Sequence, residues 1–121
     1  MTDIVDKIRF DATGVEFVPI SLEDAGMTAI EGDPQPRVCT LVATEHVWIG
    51  LSKVEPSVQK LKVNNHSVLT FIEGEGTLTV DGKSREIVAG DSVVFQPGVE
   101  AHWELRTPLR DWFVMYGPFE S

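Results

Sequence analysis

Cysteine and long apolar runs are the first things that this sequence lacks. Cys39 is the only cysteine among 121 residues, so no disulfide bond can form within the chain. It stands in the strand-like segment 38–42, which favours a buried structural thiol, because a nucleophilic cysteine needs exposure and a neighbouring base. No apolar run approaches the roughly 20 residues of a membrane-spanning helix. The sequence therefore predicts no membrane partner.

Positive charge is also scarce. Ten Lys and Arg residues stand against 19 Asp and Glu residues, which gives a formal net charge of −9. Nucleic-acid phosphates repel such a chain, and its basic residues form no cluster that offsets the repulsion. Segment 1–6 is acidic where a secretory signal is basic, and no apolar stretch follows it. We therefore expect a cytoplasmic protein with no nucleic-acid partner.

Recognisable catalytic motifs are missing. The chain has no nucleophile elbow, no paired-cysteine motif, no phosphate-binding loop and no His-x-x-x-His pair. It has three histidines, so a site with three imidazole ligands would need all of them to converge. Nothing in the order of residues supports a Ser–His–Asp triad. Function has to be approached through the fold.

What the chain does have is a succession of short strand-like segments after residue 36. Each is rich in Val, Thr, Leu or aromatic residues and is bounded by Gly, Pro, Asn or Asp, which predicts an all-β sandwich or barrel. Asp81-Gly82 predicts a type I′ hairpin, because both central residues of that turn need positive φ. The predicted strands are 37–44, 47–55, 58–63, 68–73, 77–80, 84–88, 92–95, 101–105 and 110–116.

The first 36 residues have a less regular pattern, and we interpret 1–36 as an extension that packs on a barrel formed by 37–121. Segment 17–20 predicts a short edge strand, since its proline is tolerated only at an edge or boundary. Ser21 is the expected N-cap of one helical turn, and the prolines of 32–36 predict a turn or linker. The residues expected to cover an open sheet face or edge are Phe10, Val15, Phe17 and Ile20.

Two glycine-rich corners interrupt the strands. Segment 73–76, Glu-Gly-Glu-Gly, allows a sharp bend or bulge between two strands. Gly90-Asp91 predicts a turn in which the glycine has positive φ and the Asp91 carboxylate caps the turn, and Pro97-Gly98 ends the next strand. No helix pattern follows either corner, which argues against a phosphate cradle.

These corners, together with His102, resemble the two sequence motifs of the cupin superfamily, whose members form an RmlC-like barrel. The resemblance covers roughly residues 47–116. Trp103, followed by Pro108-Leu109-Arg110, is similar to the branch that holds ethanolamine-utilisation cupins, ureidoglycine aminohydrolase and many single-domain proteins. It implies an all-β double-stranded β-helix, that is, a jelly-roll barrel in one domain. It also implies a homodimer.

Cupins that bind metal take two His and one Glu from the first motif and one His from the second. Three imidazoles and one carboxylate that leave coordination positions open suit Mn, Fe, Ni or Zn. In this chain the first-motif positions fall near Leu61, Val63 and Ser67, which cannot supply those ligands. The resemblance therefore implies the barrel more strongly than a metal, and a divalent cation is only a candidate cofactor.

The second motif supplies the remaining site candidates. His102 matches its histidine by spacing from Pro97, and His66 lies one residue from the first-motif glutamate position, so alternation turns it to the opposite face. With His102 and Glu104 pointing into the barrel, Trp103 is expected to point outward. The candidate ligand-binding residues are His102, Glu104, His66 and Trp48, and the candidate metal ligands are His102 and His66.

Three functions remain open at this point. The favoured one is a small-molecule-binding cupin that holds little or no metal. The second is a metal-dependent hydrolase or lyase that acts on a small polar metabolite, with His102 as a ligand. The third is a structural or assembly protein whose partner surface includes Trp112 and Phe119. One barrel hosts all three kinds of activity, so the fold alone does not decide between them.

Overall fold

The computed structural model describes residues 7–117 and is built from strands. Within that range there is no α-helix, and so none that is long and apolar enough to span a membrane. The strands are β1 Val18–Pro19, β2 Met27–Gly32, β3 Arg37–Ala43, β4 Val47–Val54, β5 Ser57–Val63, β6 His66–Glu73, β7 Glu75–Val80, β8 Lys83–Val88, β9 Ser92–Phe95, β10 Val99–Leu105 and β11 Leu109–Tyr116.

The strands form two antiparallel sheets. The six-stranded sheet has the order β1-β3-β4-β11-β6-β9, and the five-stranded sheet has the order β2-β5-β10-β7-β8. From β4 to β7 the chain passes repeatedly between the sheets, and each sheet pairs strands that are distant in sequence, such as β11 with β4 and β10 with β5. This is the jelly-roll arrangement of a cupin barrel, and it confirms the predicted all-β class.

The strand prediction holds along most of the chain. The nine strands predicted after residue 36 are all present, with ends that shift by at most two residues, and β1 lies at a sheet edge next to β3, as expected for segment 17–20. Ser21 caps a single turn, because its Oγ accepts a hydrogen bond from the Asp24 amide at 3.0 Å. Strand β2 was not predicted, since its Ala and Gly residues give a weak strand pattern and its place depends on pairing with β5.

The turns follow the predicted backbone chemistry. Asp81 and Gly82 both have positive φ, 51° and 76°, as a type I′ hairpin requires. Gly90 has a φ of 97°, and Asp91 accepts a hydrogen bond from the Val88 amide at 2.9 Å through Oδ2. The predicted hairpin and the predicted Gly90-Asp91 turn are both confirmed.

The core lies between the sheets and includes Trp103. The Trp103 indole is 5% exposed and its ring centroid lies 6.1 Å from that of Phe71. It also approaches the backbone of Gly76, where an added Cβ would lie 2.3 Å from the Glu104 carbonyl oxygen and 3.1 Å from the Trp103 ring. The second glycine of the first corner is therefore required by close packing between β7 and β10.

The N-terminal segment crosses the outer face of the six-stranded sheet. Trp112 Nε1 donates a hydrogen bond to the Phe10 carbonyl at 2.8 Å, and the two rings stack with centroids 6.2 Å apart. Arg110 donates to the Asp11 carbonyl at 2.7 Å. Within the described residues Trp112 thus contacts its own chain, whereas Phe119, its predicted companion in a partner surface, lies outside residues 7–117.

Candidate functional site

A cavity of about 870 Å³ lies between the inner faces of the two sheets. Most of its wall is apolar, which follows from the alternation of inward and outward residues along each strand. The aromatic residues that line it are Trp48, Phe71, Phe95, Trp103 and Phe113. A cavity of this size is within the range of about 300–1,000 Å³ that is typical of small-molecule sites.

Strands β4, β11 and β6 contribute the polar part of the wall. Asp111 pairs with Ser52 on one side and with Phe71 on the other. Four residues further along β11, Met115 pairs with Ser67. At roughly 3.3 Å per residue, Asp111 and Ser67 are separated by about 13 Å along the sheet. The cavity therefore has polar groups at two separate levels.

Asp111 is the ionisable group most deeply buried in this wall. Its side chain is 3% exposed, and its Oδ1 accepts a hydrogen bond from Ser52 Oγ at 2.5 Å. Burial raises the pKa of Asp111 to about 7, because it disfavours the charged form, although hydrogen bonds from the hydroxyl and the backbone of Ser52 act in the opposite direction. The ion pairs among residues 7–117, Arg106–Glu86 and Arg110–Glu73, do not include it.

Ser67 presents a second polar group to the same cavity. Its residue is 2% exposed, and its Oγ has no hydrogen-bond partner among residues 7–117. A buried hydroxyl without a partner costs about 1–3 kcal/mol. The Ser67 hydroxyl is therefore available to form a hydrogen bond with a molecule bound in the cavity.

Charged and amide side chains line the cavity where the segment before β2 meets the end of β5. The Lys62 amide donates a hydrogen bond to the Gly26 carbonyl at 2.9 Å, which joins these two segments. The exposed polar residues of the lining are Glu23, Asp24, Arg37, Lys62 and Asn64. We call this set the rim. It carries two acidic and two basic side chains, so its formal charges balance.

Trp48 is the sequence-predicted site residue that lines the cavity. Its Nε1 donates a hydrogen bond to Thr40 Oγ1 at 3.0 Å, and its ring meets that of Phe113 edge to face at a centroid distance of 5.0 Å. Both contacts fix the orientation of the indole. The role of Trp48 in ligand binding stays a prediction, and the structure places its side chain at the wall of the cavity.

His102 and Glu104 do not point into the barrel. Both are exposed on the outer face of β10, where His102 pairs with Lys60 and Thr79, and Trp103 points into the core instead. The strand orients by its apolar residues, since Val99, Ala101 and Leu105 alternate with the polar ones and share a face with Trp103. The alternation of polar and apolar residues along 99–105 indicates this orientation, whereas the motif spacing favours His102 as a ligand.

The two candidate metal ligands are not brought together. His66 is exposed at the start of β6 in the six-stranded sheet, and His102 is exposed in the five-stranded sheet. The positions that resemble first-motif ligands do line the cavity, but as Leu61, Val63 and Ser67. Among residues 7–117, no three His, Cys, Asp or Glu side chains lie close enough to hold a metal ion. These residues do not fit the metal site of the resemblance.

Sequence reasoning missed Asp111, Ser52 and Ser67. A signal was present for Asp111, which interrupts the inward-facing series Leu109, Phe113 and Met115 with a carboxylate. Nothing comparable marks the serines, because Ser is common on both faces of a strand.

Fold and cavity together define a cupin. A family model described as the EutQ-like cupin domain matches residues 42–111, more than half of the chain, and the chain belongs to this family. The resemblance to the cupin superfamily and to its ethanolamine-utilisation branch is thereby confirmed. The curated proteins include no match to the chain.

Solved structures agree on the fold. The EutQ protein of Clostridium difficile is 14% identical with a TM-score of 0.61, and the match covers 69% of this chain and 63% of that chain. A predicted oxalate decarboxylase from Thermotoga maritima is 17% identical with a TM-score of 0.65, covering 92% and 98%. An RmlC-like cupin from Shewanella frigidimarina is also 17% identical at 0.65, covering 97% and 95%. At these identities the likeness shows the fold alone.

Proposed function

We propose that this protein is a small-molecule-binding cupin whose ligand occupies the cavity between the two sheets. The observation that carries the proposal is the pairing of Asp111 with an aromatic-lined cavity of about 870 Å³. A few polar groups in an apolar cavity are the usual make-up of a ligand site, since the apolar wall supplies affinity and the polar groups fix orientation.

The burial of polar groups in the cavity wall supports this proposal. Asp111 and Ser67 are nearly fully buried, and a buried polar group is costly unless it forms hydrogen bonds. A ligand that offers hydrogen-bonding groups near Asp111 and Ser67 recovers part of that cost, and its apolar body removes the surfaces of Phe71 and Trp48 from water. Asp111 and Ser67 therefore make the cavity selective for ligands that carry hydrogen-bonding groups.

A metal is not required by this proposal. The inward-facing residues at the family's ligand positions are aliphatic or hydroxyl side chains, and none of them is imidazole. We therefore propose binding through Asp111 and Ser67, in the cytoplasm, with a small molecule as the partner. The metal-dependent enzyme has no observation of equal weight on its side.

The test is a ligand screen by thermal shift, run on the native chain and on four variants. Asp111→Asn and Ser67→Ala change the cavity, and His102→Ala and Glu104→Gln change the outer face of β10 as matched controls. A ligand at 100 times its Kd stabilises the folded state by about 2.7 kcal/mol. We expect stabilisation that weakens in the two cavity variants and persists in the two outer-face variants.

Two outcomes would overturn the proposal. One is a screen in which no compound raises the melting temperature of the native chain. The other is a ligand that keeps its effect in Asp111→Asn and Ser67→Ala but loses it in His102→Ala, which would return the site to the outer face. Elemental analysis of the untagged protein, incubated with Mn, Fe, Ni and Zn in turn, tests the metal-dependent alternative directly.

A further inference from the structure

We infer that the ligand of this cavity is a small organic amine, bound as its ammonium form with the charge against Asp111 and an apolar body against the aromatic wall. This inference rests on the proposed function, because it names the chemical class of the ligand for the same cavity. It is drawn from the charge, the hydrogen bonding and the lining of the cavity.

Asp111 is isolated from other charged side chains. The residues paired with it across β4 and β6 are Ser52 and Phe71, and neither carries a charge. The next residue along the strand, Arg110, is bound to Glu73 and to the Asp11 carbonyl. Asp111 thus takes part in none of the ion pairs formed by residues 7–117. A buried carboxylate is costly unless it is paired, and a bound cation would supply that pair.

The other ionisable groups of the cavity lining do not change the negative sign of the charge that Asp111 gives to the cavity interior. They are the rim residues Glu23, Asp24, Arg37 and Lys62, all exposed. Two acidic and two basic side chains balance one another, and solvent screens them. The net charge of −9 also favours the approach of cations over anions. Asp111 therefore sets the charge preference of the interior.

The aromatic lining narrows the class from any cation to an organic ammonium. Phe71 pairs with Asp111 across the sheet, Trp103 lies 6.1 Å from Phe71 between ring centroids, and Phe113 is the next inward residue of β11. Aromatic faces attract ammonium groups, and the attraction grows when the group is desolvated. A metal ion would need several oxygen or nitrogen ligands, whereas an ammonium with an apolar body is satisfied by the Asp111 carboxylate, the neighbouring Ser52 hydroxyl and the aromatic rings.

Pairing with an ammonium also predicts that binding releases a proton from Asp111. Because the pKa of Asp111 is raised to about 7, the free protein carries a proton on this carboxyl at pH 6. Alkylammonium groups titrate near pH 10 and stay charged throughout this range. Binding then releases the Asp111 proton at pH 6 and releases almost none at pH 8.5. Affinity for the amine rises with pH between these values.

The experiment uses two matched series with isothermal titration calorimetry. Benzylamine, benzyl alcohol and benzoate share one ring, and butylamine, butanol and butyrate share one chain, so charge is the variable within each series. We expect at least one amine to bind at least tenfold more tightly than its alcohol and acid at pH 8, and to lose at least tenfold in Asp111→Asn. Titration at pH 6 in buffers of different ionisation enthalpy should show release of close to one proton.

Ser52→Ala keeps the carboxyl and removes a hydrogen bond to it, so it tests the inference if Asp111→Asn folds poorly. Loss of that bond raises the pKa of Asp111 further, and proton release should persist to a higher pH. Equal binding of alcohol, acid and amine, amine binding that survives Asp111→Asn, or no binding by any of the six probes would each overturn the inference. Neutral or anionic ligands that need Ser67 would overturn it and leave the proposed function standing.

Discussion

The two sheets face the same cavity with different walls. The wall of the six-stranded sheet includes Ser52, Ser67 and Asp111, whereas the five-stranded sheet lines the interior of the cavity with apolar residues such as Leu61, Leu78 and Trp103. It also buries Ser57 and Gln59, which lie outside the cavity lining. The parts of the two cupin-like motifs in β7 and β10 belong to the five-stranded sheet, and the parts in β6 and β9 belong to the six-stranded sheet. The groups of the cavity wall that can do chemistry are thus carried by the six-stranded sheet.

Two carboxylates show the same contrast. Asp111 on the inner wall has a raised pKa, whereas Glu86 on the outer face of the five-stranded sheet has a pKa lowered by its hydrogen bond from Thr77 and then by Arg106. Solvent stabilises the charge of Glu86 with or without its partners, whereas Asp111 has only Ser52 to assist it. The position of a carboxyl in the barrel thus decides whether its pKa is raised or lowered.

The largest effect should come from truncating the apolar wall. Trp103→Ala removes a nearly fully buried indole, and substitutions of this kind cost about 3–5 kcal/mol. Trp112→Ala is the matched control in the opposite sheet, where the ring is partly exposed and stacks on the exposed Phe10. We expect the control to cost less than half as much in urea unfolding. Equal losses would show that the apolar wall is not where the core stability lies.

The next effect is a pH dependence of stability that comes from the polar wall. The pKa of Asp111 is raised from 3.8 to about 7 on folding, so the folded state holds this proton more tightly than the unfolded state. The contribution of Asp111 to stability is fully present below about pH 4, is lost as the pH rises toward 7, and then levels off. At about 1.4 kcal/mol per pH unit the total loss is on the order of 4 kcal/mol.

Asp111→Asn removes the pH-dependent contribution of Asp111 to stability, because an amide mimics the protonated acid and does not titrate. The difference in unfolding free energy between the variant and the native chain, measured by urea from pH 4 to pH 8, should move in favour of the variant as the pH rises. Glu86→Gln is the outer-face control and should show no such trend. A difference for Asp111→Asn that stays constant with pH would contradict the assigned burial.

A smaller effect, opposite in sign to that of Trp103→Ala, is expected at Ser67. Its Oγ has no partner among residues 7–117, so Ser67→Ala removes an unsatisfied hydroxyl from a buried position. The free protein should become more stable by up to about 1 kcal/mol. Ligand binding should weaken in the same variant, so the substitution should increase stability and decrease ligand affinity. A destabilised Ser67→Ala protein would mean that the hydroxyl is bonded within the fold.

Much of the fold could be predicted from local pattern, and the site could not. Strand ends and the hairpin at Asp81-Gly82 are set by neighbouring residues, which the sequence displays directly. Alternation along β11 places Asp111 on the inward face, but its hydrogen bond with Ser52 joins residues that are 59 positions apart. Such a register is a property of the closed barrel, and no local pattern encodes it. Strand β2 was missed for the same reason.

The smallest expected effect concerns the residue that the motif spacing favoured. His102 is exposed and pairs with Lys60 and Thr79 on the outer face of β10, so His102→Ala should change the unfolding free energy by less than about 0.5 kcal/mol. It should also leave ligand affinity and metal content unchanged. If His102→Ala instead abolished ligand or metal binding, the outer face of the five-stranded sheet would be the functional one. The division of roles between the two walls would then have to be abandoned, because the motif would mark the site as well as the fold.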